Sequence, residues 1–350
     1  MHRNLIVKTF NLVKRSKPLL SSRHKYLRLD KNERVSNFSK NFINLFKKKL
    51  NSESLNTYPE IFEFYKLLSK NHKLKKNQFL GTTGIDTGLK NSIEIFGHKK
   101  IIILDPTFAM INVYCKILGK KVIKIGYDKN LNLQFKKLEK NVNKQVSLII
   151  LSNPNSPTGT ILDLKNIKKI LVKAAKYNIN VVIDEAYYGF SAVTAEPLIK
   201  RYKNLIILRT FSKAYGLAGL RVGYIISSSK NIKLYNNIKP MYEVNSLGIL
   251  AANILLNNES IKKKYLKEVQ EGKKILLNFF LKKNIYFLKS EGNFILFKLK
   301  NNKNKYFSLF KQNKIMIVEK LNHKNLTGLS RITLAPKKEI LKFINILKNY

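Results

Sequence analysis

The 350-residue chain has no tryptophan and a single cysteine, Cys115, so no internal disulfide can form. That usage suits a reducing compartment, and the cytoplasm is expected. Cys115 lies in the apolar run "VYCKIL", where a thiol acts as a small buried hydrophobe rather than a nucleophile. The five histidines (His2, His24, His72, His98 and His323) show no metal-ligand spacing and no cysteine partners nearby, so no metal site is expected. No apolar run approaches the length of a membrane span, and no membrane partner is expected. Acids are scarce: 21 Asp and Glu stand against 67 Lys and Arg, a formal charge of +46. So basic a chain invites a nucleic-acid partner. The lysines, however, run from end to end among many Asn and Ile, the pattern of AT-rich coding. They read as solvated surface, and no nucleic-acid groove is expected. Residues 1–25 are basic, carry serines and contain no acid, but lack a clear amphipathic repeat. They read as an N-terminal arm rather than a targeting segment.

What is present argues for a folded α/β protein. A hydrophobic fraction of 44% supports a real core. "KKIIILDP" (99–106), "VSLIILSNP" (146–154), "VVIDEAY" (181–187), "LIILRTF" (205–211) and "VGYIISS" (222–228) read as strands covered on both faces. Between two of them, 163–178 has the helical period, with Asp163 as its cap and Ile167, Ile170, Leu171, Ala174 and Ala175 on one face. Residues 85–97 and 107–119 also read as helices. Strands alternating with helices predict a mainly parallel sheet. Beyond about 230 a long helical stretch (246–283), short strands at 292–299 and 314–320 and a final helix (336–349) predict a smaller α+β domain.

Open parallel sheets bind ligands at the carboxyl ends of their strands. Asn153 and Asn155, Asp184 and Tyr187, and Ser212 and Lys213 all fall at such ends. Asp184 at the end of an apolar strand needs a cationic partner if it is buried, or else caps the next turn. Lys213 beside apolar walls can lose its proton and act as a nucleophile. Ser212 and Arg221 suit an anion, as does the helix start within "GTTGIDTGLK" (81–90). In "NPNSPTG" (153–159) an Asn could donate to a ligand oxygen, or the segment is a plain loop. An amine, an acid for a ring nitrogen, a phosphate clamp and a donor to a ring oxygen together describe a pyridoxal phosphate site.

These stretches resemble the fold-type I pyridoxal phosphate enzymes, and more narrowly the class I/II aminotransferases of the histidinol-phosphate aminotransferase kind. The motifs are "YPE" (58–60), "GTTGID" (81–86), "DPTFAM" (105–110), "NPNSPTG" (153–159), "DEAYYGF" (184–190), "TFSKAYGLAGLRVGY" (210–224) and "RITLAP" (331–336), in family order over roughly 26–349. The resemblance implies a large cofactor-binding domain at 45–235, with 1–44 and 236–350 forming an arm and a small domain. It implies that Lys213 holds the cofactor covalently and moves the substrate proton, while Asp184 pairs with the ring nitrogen. Tyr187 and Asn155 would hydrogen-bond the ring hydroxyl oxygen, with Asn153 an alternative to Asn155, and Phe108 would stack on the ring. Ser212, Arg221 and the backbone at Ile85 and Asp86 would hold the phosphate. Tyr58 would reach the cofactor phosphate of a second subunit, making a homodimer the working unit. Arg331 and Asn32 would bind substrate, the amino donor's carboxylate falling to Arg331. The implied reaction moves an amino group between glutamate and a small keto compound, phosphorylated ones such as imidazole-acetol phosphate first among them. A phospho-amino-acid decarboxylase, or a relative in cell-surface metabolism, is the alternative. Two departures bear on substrate: "LDKNERVSNF" (29–38) lacks the usual proline, and Glu319 stands about where the family places a substrate-binding Arg.

Overall fold

Ile, Val and Leu fill both alternating sides of the central strands, so these strands have to be covered on two faces. The computed structural model describes residues 22–350, and all but the last few residues of the expected arm at 1–25 lie outside them. Twelve strands are described: β1 (Leu27–Arg28), β2 (Phe79–Thr83), β3 (Lys100–Asp105), β4 (Val122–Gly126), β5 (Val146–Ser152), β6 (Asn180–Asp184), β7 (Leu205–Thr210), β8 (Val222–Ser227), β9 (Tyr286–Leu288), β10 (Phe294–Lys298), β11 (Ile315–Met316) and β12 (Ser330–Thr333). Seven form the main sheet in the order β2-β8-β7-β6-β5-β3-β4. Its pairings are parallel except for those of β8, which runs antiparallel to both β2 and β7.

The alternation sorts the core. Ile102, Ile149, Val181, Ile183 and Ile207 face one apolar layer, and Ile101, Leu148, Ile150, Val182 and Ile206 face the other. Helix Leu164–Ala175 covers the first layer through Ile167, Ile170, Leu171 and Ala174, and Asp163 caps it by accepting from Asn166 N–H at 2.7 Å. Cys115 is buried in the second layer, where desolvation pushes its thiol up to about 12, beyond use as a nucleophile.

The second body is the antiparallel sheet β12-β10-β9 with the parallel pair β1-β11. Helices Glu259–Lys282 and Lys337–Ile346 pack on it around Phe280, Phe297, Phe310 and Phe343. Gly272 allows their close approach, because a Cβ there would strike the carbonyl of Ala335. The helical stretch expected at 246–283 is two helices, Ser246–Asn257 and Glu259–Lys282, broken at Asn258 with φ −128° and ψ 58°. Ser246–Asn257 packs in the large body, as does Phe42 of helix Lys40–Lys49. The strand expected at 314–320 is only Ile315–Met316, followed by a single bridge from Val318 to Arg331. Periodicity did not reveal β2 and β4, since a glycine interrupts β2 and β4 is only partly buried at the sheet edge.

A buried ion network locks β6 to β7. Arg209 Nε and Nη2 donate to Glu185 Oε2 at 2.9 and 2.8 Å, Nη1 lies 2.7 Å from Glu196 Oε2, and the Tyr188 ring sits 3.5 Å from the guanidinium carbon. Removing one partner of such a pair strands a buried charge. Arg209→Met is expected to lower stability by about 3–5 kcal/mol in denaturant unfolding. A loss well under about 1 kcal/mol would show that the network does not hold the strands.

Candidate active site

The parallel strands β3, β5, β6 and β7 all end at one edge of the sheet, and the antiparallel β8 begins there. Ser152 ending β5 pairs in register with Asp184 ending β6, and Thr210 ending β7 pairs with Gly223 in β8. The side chains that follow these ends meet around a cavity of about 440 Å³. Lys213, Asp184, Tyr187, Phe108, Ser212, Arg221, Ile85, Asp86, Asn32 and Arg331 all line it. A larger hollow lies at the opposite end of the sheet, beside Asn180, Lys203 and Ser228, and holds no carboxylate to balance its lysines.

Asp184 is the electrostatic centre. Its side chain is buried, Oδ2 accepts from Ser152 Oγ at 2.9 Å, and Oδ1 accepts from Ala186 N–H at 3.0 Å. The turn-capping role is thus met by Oδ1, yet no cation among the described residues pairs with the carboxylate. Desolvation raises its pKa to about 6 against the pull of these two hydrogen bonds. Lys213 is shifted the other way. Burial, then the nearby positive charge of Arg331, pulls its pKa down to about 8. Its Nζ donates to the carbonyl of Lys31 at 2.9 Å, which aims the amine into the cavity from above β7. An amine this easily deprotonated can serve as a nucleophile and proton carrier.

At one end of the cavity lies an anion cradle. Helix Gly84–Phe96 starts there without a side-chain cap from Thr83. Arg221, in the left-handed region at φ +53°, brings Nη2 to 2.9 Å from Asp86 Oδ2 and Nη1 to 3.4 Å from Ser212 Oγ. Gly84 sits in the left-handed region at φ +67°, which a side chain would strain, and a Cβ there would also crowd the Arg221 guanidinium. Helix N–H groups, a hydroxyl and a forked guanidinium form a donor set suited to phosphate.

Opposite the cradle, Tyr187 is held by Asn32, whose Nδ2 donates to its hydroxyl at 2.9 Å, and by the Ser156 hydroxyl. Asn155 is a correction. Its Nδ2 donates to Pro106 O and to Thr158 Oγ1, both at 2.9 Å, and its Oδ1 accepts from Thr107 Oγ1 at 2.9 Å. Its donors are spent on the loop, and it does not line the cavity. Asn153 is likewise spent, exchanging hydrogen bonds with the backbone of Leu162. The side chain of this loop that reaches the cavity is Ser156. Arg331 donates from Nη2 to the carbonyl of Asp30 at 2.6 Å, while its Nε is buried without a partner. Glu319 does not enter the cavity and pairs with Lys311 at 3.0 Å on the surface. Tyr58 lies outside its own chain's cavity, 72% exposed and stacked on Tyr242. Ser152, Ser156 and Lys31 were not anticipated. Ser152 and Ser156 flank the Asn-Pro-Asn stretch, and Lys31 acts through a carbonyl that no residue type signals.

The pyridoxal phosphate implied by the motifs fits these groups. The buried carboxylate lacks a cation, a Cβ at Gly84 would crowd the guanidinium of the cradle, and the pKa of the amine is drawn down to about 8. Because the folded pKa of Asp184 is raised, its contribution to stability is present below its ordinary 3.8 and lost as pH rises through about 6. Asp184→Asn should therefore stabilise the cofactor-free protein at pH 7, by ~2 kcal/mol in denaturant unfolding. Equal or lower stability would refute the uncompensated burial.

The comparisons agree with this geometry. The family model "Aminotransferase class I and II" matches residues 26–347. Histidinol-phosphate aminotransferase 1 of Carboxydothermus hydrogenoformans is 33% identical over 72% of this chain and 72% of its own length. Histidinol-phosphate aminotransferase of Pyrococcus furiosus is 32% identical over 92% and 91% of the two chains, and dihydroxyacetone phosphate transaminase Cj1437c of Campylobacter jejuni is 35% identical over 71% and 69%. Among solved structures, histidinol-phosphate aminotransferase from Sinorhizobium meliloti in complex with pyridoxal-5'-phosphate superposes with a TM-score of 0.83 at 19% identity, covering 97% of each chain. L-threonine-O-3-phosphate decarboxylase from Porphyromonas gingivalis gives 0.76 at 21%, covering 92% of this chain and 98% of its own, and both structures share the fold. With a lysine and a buried carboxylate converging beside an anion cradle in a sheet of this topology, the chain belongs to the class I and II aminotransferases and is a pyridoxal phosphate-dependent enzyme.

Proposed function

We propose that this aminotransferase moves an amino group between glutamate and a small phosphorylated keto compound, with imidazole-acetol phosphate the leading acceptor. The observation that carries the reading is the convergence of Lys213, Asp184 and Arg331 on one cavity next to the anion cradle. Pyridoxal phosphate, when bound, supplies an electron sink for the pair left at the substrate carbon as its proton departs. Ser212, Arg221 and the N–H groups at Ile85 and Asp86 hold the phosphate. Asp184 keeps the ring nitrogen protonated, since the ion pair gives its carboxylate the cation it lacks. Tyr187 and Ser156 bond the ring hydroxyl oxygen, and Phe108 covers the ring face. Lys213 Nζ, uncharged once its proton is lost near pH 8, takes the proton from the substrate carbon and returns it on the other side of the reaction. Arg331 binds the donor's carboxylate.

Substrate class follows from the charges left over. Arg221 is matched by Asp86, whereas Lys31 and Arg331 line the cavity with no carboxylate paired to them among the described residues. An acceptor bearing a phosphate supplies the missing negative charge. The names of all three curated relatives, which cover two kinds of phosphorylated compound, support the same class. The homodimer belongs to this reading as well. Exposed Leu55, Tyr58, Phe62 and Met241 leave an apolar face around the Tyr58–Tyr242 stack, suited to a second copy that would receive Tyr58 at its cradle.

Mixing the holoenzyme with glutamate should convert the cofactor to its amino form, with loss of the visible band, and imidazole-acetol phosphate should restore it. Release of carbon dioxide from a phospho-amino acid without that conversion would instead establish a decarboxylase. Lys213→Ala should abolish both the visible band and turnover in a folded protein, and an unaltered spectrum would refute the assignment. Sedimentation at micromolar concentration should show a dimer that Tyr58→Ala retains, with cofactor released more readily. A monomer with full activity would overturn the shared site.

A further inference from the structure

Thr83 occupies the N-cap position of helix Gly84–Phe96, a place where a threonine hydroxyl normally accepts a hydrogen bond from the helix start. Here it does not. Thr83 Oγ1 donates to the backbone carbonyl of Glu243 at 2.6 Å, and Thr83 N–H donates to Glu243 Oε1 at 3.0 Å. Both polar groups are turned toward the loop that joins helices Ser229–Ile238 and Ser246–Asn257. The first N–H groups of the helix consequently carry no side-chain cap from Thr83. The same loop grips the other wall of the cradle. Asn245 Nδ2 donates to the carbonyl of Leu220, the residue before Arg221, at 2.8 Å, while Asn245 Oδ1 caps its own helix through Gly248 N–H at 2.7 Å. Glu243 and Asn245 thus span the two backbone segments that supply the helix start and the guanidinium. Gly223 closes the gap between them, since a Cβ there would lie 2.6 Å from the carbonyl carbon of Gly84.

We infer that Glu243 is a positioning residue for the cofactor phosphate: its carboxylate, by accepting from Thr83 N–H, anchors the loop so that the Glu243 carbonyl keeps the Thr83 hydroxyl off the helix N-terminus and the cradle stays open for an anion. It touches neither cofactor nor substrate. Its formal charge is no help to a phosphate, so what matters is the acceptor oxygen that reaches Thr83 N–H. Tyr242, next to it in the chain, stacks on Tyr58 with ring centroids 4.1 Å apart, which places the strut between the cradle and the exposed aromatic face.

The inference rests on the cradle being the phosphate site of the proposed function, and the test separates the two. Cofactor-free protein is titrated with inorganic phosphate, pyridoxal phosphate and pyridoxal, by calorimetry and by absorbance. Glu243→Ala should weaken inorganic phosphate and pyridoxal phosphate about tenfold, as for a lost hydrogen bond to a charged group, with pyridoxal unchanged. Glu243→Gln, which keeps the acceptor oxygen and removes the charge, should bind all three as the parent does. Glu243→Asp, one methylene too short to reach Thr83, should behave like Ala and decides the matter should Ala not fold. Phosphate binding at parental strength in Ala or Asp overturns the inference alone, as does an equal loss of pyridoxal, which would mark general destabilisation. Parent protein that binds neither phosphate nor pyridoxal phosphate overturns the cradle assignment and the inference with it.

Discussion

The carboxylate of Asp184 is buried with two hydrogen bonds and no cation, and the site is arranged around that unbalanced charge. In a cofactor-free fold it is a cost, expressed as the rise of its pKa to about 6. In the proposed function a protonated ring nitrogen would supply the missing cation, and the same burial would shield that ion pair from water. Lys213 shows the complementary design: burial and the positive Arg331 disfavour its ammonium form, which is the form useless for taking a proton. Two titratable groups are thereby moved toward neutrality from opposite sides by one low-dielectric crevice.

What holds them in place is the sheet. Register sets Ser152 beside Asp184, so the hydroxyl that orients the carboxylate comes from the neighbouring strand. Glu185, one residue on, points away from the cavity and ties Arg209 of β7 beneath it, which leaves successive acids with opposite jobs. The reversal of β8 puts its first residue, and Arg221 before it, at the same edge as the ends of the parallel strands. The small body then closes the crevice from above with Arg331 on β12 and Asn32 behind β1.

Much of this was legible in the chain. Apolar strands with polar ends located Asp184, Tyr187, Ser212 and Lys213, and helix periodicity with a capping Asp163 placed the layer beneath. The misreadings have local causes. Asn155 carries the right functional groups for a ligand, but three loop partners consume them, and only coordinates reveal that competition. Glu319, which stands about where the family has a substrate-binding Arg, lies beyond the short strand Ile315–Met316, and its side chain turns to Lys311 on the surface. The strands β2 and β4 lack the continuous apolar runs of the centre because Gly81 and two threonines fill β2 and because β4, at the sheet edge, is only partly covered.

The sequence by itself determined the chemistry available: one lysine after a buried strand, an acid at the end of another, and an arginine among glycines at a turn. Those depend on residue type and on periods of two and 3.6, which are local properties of a chain. The tertiary structure alone decided which of those groups share a cavity, which are consumed by their neighbours, and that the hydroxyl of Thr83, the natural cap of the helix starting at Gly84, turns instead to the backbone carbonyl of Glu243. Such outcomes turn on contacts between residues far apart in the chain, where a hydrogen bond won by one partner is lost to every other.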